Sequence, residues 1–248
     1  MITSVHNIKT IVKRELYGYF CSPIAYIFII IFLLVMGIFT FGDNLGSFYD
    51  RGVADLELSF FIWHPWIYMI FVPAIGMRLW SEEINSGTLE LLCTSPITLK
   101  QAIIAKYIAG SIFLFISIAL TFPYWITVNH LGDPDNTKIF AGYIGSFLMA
   151  ISFLSLSSMT SAMTRNQIVS FIVTMVITMF LILCGFPPIV GMLLEWTPLW
   201  FTNFIRGMSI YTHFSAIQRG VIDSRDLVYF LSLIVLGLVA THNSLRNR

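Results

Sequence analysis

The chain has 248 residues, 57% of them apolar and 11% charged, with a mean hydropathy of +0.82 and a formal net charge of +1. Such a composition excludes an ordinary soluble domain and predicts a polytopic membrane protein, and the near-zero net charge gives no signal for nucleic acid or an acidic substrate. Cys21, Cys93 and Cys184 form no CxxC and have no His at ligand spacing. They therefore predict neither a disulfide framework nor a zinc site and read as packing thiols.

Residues 5–20 place Val5, Ile8, Ile11, Val12, Leu16 and Tyr19 on one helical face, with Asn7, Thr10, Lys13 and Arg14 opposite. That pattern predicts an amphipathic helix lying in the membrane interface. Glu15 falls on its apolar face, which calls for a paired carboxylate or for contact with a partner. Six apolar runs follow, at about 23–41, 60–79, 107–128, 139–163, 168–189 and 227–241. Each is read as a transmembrane helix, because about 20 apolar residues cross the hydrocarbon and only internally hydrogen-bonded structures survive there. The first run follows a segment too long and polar for a secretory leader and is expected to be an uncleaved span. Pro73 and Pro123 predict kinks in the second and third spans. Ser152, Ser155, Ser157, Ser158 and Ser161 line the fourth as small residues that let helices approach. Between the last two spans, residues 190–226 hold Trp196, Trp200, Phe201, Phe204, Tyr211 and Phe214. This aromatic density predicts a pair of short interfacial or re-entrant helices.

An even span count puts both termini on one side, and the basic residues select the cytosol. Nine Lys and Arg then face inward against four acids, a balance of +5, and five face outward against nine acids, a balance of −4.

Residues 77–106 form a polar island between the second and third runs. Asn85, Ser86 and Gly87 carry turn chemistry, and residues 88–94 have room for a short helix before Ser95 and Pro96 stop it. Thr98 and Gln101 have capping-box spacing, which starts the third helix before it enters the membrane. The island would thus present Glu90, with Leu89, Leu91 and Leu92 around it, on a short helix braced by two long ones. Its acids, Glu82, Glu83 and Glu90, oppose the positive-inside trend. Solvation of an ordinary loop and contact with a cytosolic partner are both open readings of them.

No GxxxxGK[ST] occurs, so the chain has no P-loop for a nucleotide. The histidines, His6, His64, His130, His213 and His242, form no HxxxH or HExxH and read as polar residues near span ends. An intramembrane hydrolase would need a nucleophile and base facing a wet cavity, and no carboxylate shares the serine-rich fourth span. No internal repeat suggests a pseudo-symmetric transporter made of one chain.

Several blocks, in order, resemble a known family. They are residues 13–26, residues 73–92 with Ser95, Pro96, Lys106 and Tyr107, residues 131–135, 142–145 and 164–169, and His213 and Phe214 followed by residues 219–226. This series is similar to the permease subunits of type-2 ABC transporters, in particular the group that includes the gliding-motility-associated and copper-enzyme maturation permeases. Trp80 departs from it, where members carry smaller residues or Phe.

The resemblance implies one transmembrane domain over residues 1–248, all-α, with six spans, an amphipathic entry helix and a cytosolic coupling helix between spans two and three. It implies a non-enzymatic permease, an exporter in a bacterial cytoplasmic membrane, that pairs with a second copy or a homologous permease among membrane lipids. ATP would be bound by separate cytosolic ATPase subunits, with no cofactor or metal on this chain. The coupling interface would comprise Glu82, Glu83, Gly87, Thr88, Leu89, Glu90, Leu91 and Leu92, joined by Glu15 through the entry helix. The alternative is a mechanotransmission subunit that passes ATP energy to a periplasmic or auxiliary membrane protein and carries no substrate.

Overall fold

The computed structural model describes residues 2–42, 48–52, 54–88 and 97–247. Among them every regular element is helical. In chain order these are α1 (Ile2–Cys21), α2 (Pro23–Phe41), the single turn α3 (Phe48–Arg51), and a 3-10 turn at Phe61–Trp63 leading into α4 (His64–Gly76). Then come α5 (Arg78–Ser86), α6 (Leu99–Ala119), α7 (Phe122–Leu131), α8 (Asn136–Met163), α9 (Gln167–Leu183) and α10 (Pro187–Trp196). The chain ends with α11 (Leu199–Gly207), α12 (Ile210–Gln218) and α13 (Ser224–Arg246).

Local chemistry sets many of the boundaries. Ser22 caps α2 by accepting from the Ile24 N–H, with Pro23 at the first helical position, where its missing N–H costs nothing. Asp135 caps α8, Asn166 caps α9 and Asp223 caps α13 in the same way. The Thr98 capping box is complete: Thr98 Oγ1 accepts from the Gln101 N–H and the Gln101 Oε1 from the Thr98 N–H.

Four elements are long and apolar enough to cross a membrane: α2, α6 with α7, α8 and α13. A fifth is formed by α9 and α10 if that pair, bent by 65°, is one span. The expected second span is not one uninterrupted helix, because α4 stops at Gly76 and α5 starts at Arg78. The long third run breaks at Leu120 and Thr121. Pro123 leaves the Ala119 carbonyl without its usual donor, and the Thr121 hydroxyl bonds back to the Ile118 carbonyl at 2.6 Å. In the segment expected to hold two short helices there are three, α10 to α12.

The bundle is arranged around α8. Within the apolar windows 67% of α8 is buried, against 28% of α2 and 17% of α13, so α8 is the axis and the other two are its periphery. Small residues bring the neighbours close. A Cβ at Gly76 of α4 would collide with the Ser157 side chain, and one at Gly237 of α13 would lie 2.7 Å from the Ser155 backbone. The packing role read for these serines therefore holds, and some of them also bond across the helices: Ser152 and Ser155 reach the Phe230 and Leu233 carbonyls of α13. At the end of the bundle away from residues 77–106, Phe60, Phe61, Tyr68 and Phe214 enclose His64. His64 stands near the start of the expected second span but is fully buried and shares Nδ1 with the Phe60 carbonyl, so it is a core residue and not the interfacial one expected.

Candidate functional site

Residues 77–88 begin at the break between α4 and α5, and Ser161 of α8 closes that break. Its hydroxyl donates to the Met77 carbonyl at 2.8 Å and accepts from the N–H groups of Trp80 and Ser81, each at 3.0 Å. The start of α5 would otherwise leave the two N–H groups unpaired inside the bundle. Ser81 adds a bond to the same carbonyl. Trp80 is fully buried and donates its indole N–H to Ser158 at 3.1 Å, so α5 is fixed to α8 by side chain as well as backbone.

Beyond Ser81 the helix turns outward. Glu82, Asn85 and Ser86 are exposed, and the helix runs through the Asn85–Ser86 positions expected to form the turn. The turn falls on Gly87 alone, at φ 72° and ψ 7°, the left-handed cap that favours glycine. Thr88 follows, exposed, its hydroxyl 2.9 Å from that of Ser86. Leu89, Glu90, Leu91 and Leu92, with Cys93, lie outside the described residues, as does most of the short helix expected at 88–94.

Lys106 of α6 is the residue that organises the region. Its side chain is 6% exposed, and its Nζ donates to the Leu79 carbonyl at 3.0 Å, lies 2.8 Å from Glu83 Oε1 and 3.7 Å from Glu15 Oε2, and sits 5.1 Å from the centre of the Trp80 ring. A buried ammonium is tolerated only with such partners. One cation thereby joins α1, α5 and α6, and Glu15 gains the partner that its place on an apolar face demanded. The second oxygen of Glu15 takes Arg14 at 2.8 Å. Nearby, Tyr19 stacks on Phe113 with ring centres 5.5 Å apart; burial, and then the Glu15 charge, push its phenol well above the usual range.

Of the residues assigned to coupling, Glu15 and Glu83 are thus brought together and engaged within the chain. Glu82, Gly87 and Thr88 are exposed beside them. Sequence reasoning gave Lys106 no role. The available signal was a cation immediately before the apolar third run, preceded by two acids with no basic residue at i+4.

A second polar group lies at the other end. His213 Nδ1 is 2.6 Å from Asp226 Oδ1 and Nε2 is 3.1 Å from the Gly207 carbonyl, while Tyr229 stacks on the imidazole at 4.0 Å and donates to the Met208 carbonyl. It ties α11 and α12 to the start of α13. Among the described residues no group of three or more His, Cys, Asp or Glu gathers closely enough to hold a metal ion. Compared with models of known protein families and with curated protein sequences, the chain matches none.

Proposed function

We propose that the chain is the permease subunit of a type-2 ABC transporter, an exporter driven by ATPase subunits on separate chains, and that residues 77–106 receive their motion. The observation that supports this is the anchoring of α5. Ser161 ties it to α8, and Lys106 ties it to α1 and α6. A displacement applied at residues 87–97 would therefore be passed to four helices together. An ordinary solvated loop has no need of a buried cation shared among three helices.

In this reading α4 with α5 forms the interrupted second of six spans, and α9 with α10 the fifth. The charge balance puts both termini in the cytosol, and a second permease copy or homologue completes the pathway. Glu82, Gly87, Thr88 and residues 89–92 form the face toward the ATPase, while Glu15 and Glu83 act behind it through Lys106. The absence of a P-loop in the sequence agrees with nucleotide chemistry on another chain.

Mechanotransmission remains the second reading, favoured by the exposed aromatic surface of α10 and α11. Trp196 is 81% exposed and Trp200 72%. Reconstitution with the ATPase in proteoliposomes free of any outer partner separates the two. ATP hydrolysis stimulated by a candidate substrate supports transport; hydrolysis that responds only when an outer protein is added supports mechanotransmission.

A further inference from the structure

A cavity of about 490 Å³ opens between α1, α2, α4, α5 and α6, beside Lys106. Its walls differ in character. Ala25, Phe28 and Phe113 make an apolar floor, and Arg78, Glu82 and Glu83 line the polar part. Lys106 borders it with its ammonium already engaged, by the Leu79 carbonyl, Glu83 and, at ion-pair distance, Glu15. Among the described residues no acid pairs with Arg78 and no base with Glu82. Glu83 Oε2 is shut from solvent with no hydrogen-bond partner, an arrangement that is unfavourable until a donor arrives.

We propose that this cavity binds the headgroup of a phospholipid carrying a primary amine. The phosphate would lie against Arg78, and the ammonium against Glu82 and, after a small turn of its carboxylate, Glu83. The unpartnered oxygen asks for a hydrogen donor, which a primary ammonium has and a quaternary one lacks. The cavity is within the usual size of a ligand site yet too small for two acyl chains. Those chains have a place to go: Ile24 stands exposed at the rim, and Ile27, Ile31 and Leu34 continue an exposed apolar face along α2. This proposal concerns the cavity in the isolated chain, and its test is made without an ATPase.

The test is native mass spectrometry of the delipidated full-length protein, given phosphatidylethanolamine, phosphatidylcholine or phosphatidylglycerol at equal mole fraction. The expected result is retention of phosphatidylethanolamine over each of the others by about fivefold or more. Gly18→Leu is the informative variant, because Gly18 lines the cavity and a Cβ there meets nothing within 4 Å, so the larger side chain enters empty space on an exposed helix position. It should abolish the preference, and Arg78→Gln should weaken retention of phosphatidylethanolamine. Equal retention of the three lipids, or a Gly18→Leu protein with the full preference, would overturn the proposal. Displacement of the lipid by millimolar glycerophosphoethanolamine would overturn the lipid assignment in favour of a small soluble zwitterion.

Discussion

Replacing Lys106 by Met keeps the length of the stem and its packing against Trp80 while removing the ammonium. Glu83 and Glu15 then face each other across the space that Nζ held, and the Leu79 carbonyl loses its side-chain donor. Breaking a buried pair by removing one partner costs about 3–5 kcal/mol. The carboxylates are 22% and 19% exposed and recover part of their hydration, so the expected loss is nearer about 2–4 kcal/mol. The loss should be local: amide hydrogen exchange in α1 and α5 should accelerate together, with α8 and α13 little changed. Reversible unfolding in mixed micelles gives the magnitude, and the Lys106→Met/Glu83→Gln double variant should recover a substantial part by removing the stranded charge. A Lys106→Met protein within about 0.5 kcal/mol of wild type, with α1 equally protected, would refute the reasoning.

Ser161→Ala should cost about 2–4 kcal/mol, since it leaves the N–H groups of Trp80 and Ser81 at a buried helix break without their acceptor, while the Met77 carbonyl keeps Ser81; unfolding midpoints check it, and Ser161→Thr should restore most of the loss. Gly87→Val should cost about 1–2 kcal/mol through backbone strain alone, because φ is 72° and a Cβ there meets no neighbour. Gly87→Asn should be milder, and equal stability of all three residues would argue against a left-handed turn. Glu57 carries a carboxyl raised above its ordinary 4.5 by burial and by Asp55, partly offset by Lys138 and Arg219. A raised carboxyl favours the folded state below 4.5 and loses that contribution as pH rises through the folded value. Glu57→Gln should therefore gain stability over wild type at neutral pH and lose the advantage at acidic pH; an advantage that grows on acidification would contradict the assignment.

What the sequence made legible is what depends on near neighbours. The amphipathic α1, the capping box at Thr98 and Gln101, and the need for Gly near the end of α5 are matters of three- or four-residue spacing. The break at Met77 was not legible, because its cause sits on Ser161, far along the chain, and Pro73, the local suspect, lies inside α4 with its carbonyl still bonded to the Met77 N–H. The buried His64 escaped for a related reason: Phe60, Phe61 and Tyr68 are its near neighbours in sequence, but the covering ring of Phe214 comes from α12, far along the chain. Charge pattern grouped Lys106 with Glu15 and Glu83, and the structure brings the three together, but side counting says nothing of depth. Only packing reveals that this cation is buried and shared.

The most direct test of the account is co-purification of the tagged chain, expressed in its native membrane, with an ATPase subunit encoded beside it. The account predicts a stable complex that Glu90→Lys weakens while the amount of chain inserted in the membrane is unchanged. A wild-type chain that inserts normally and never retains the ATPase would contradict it.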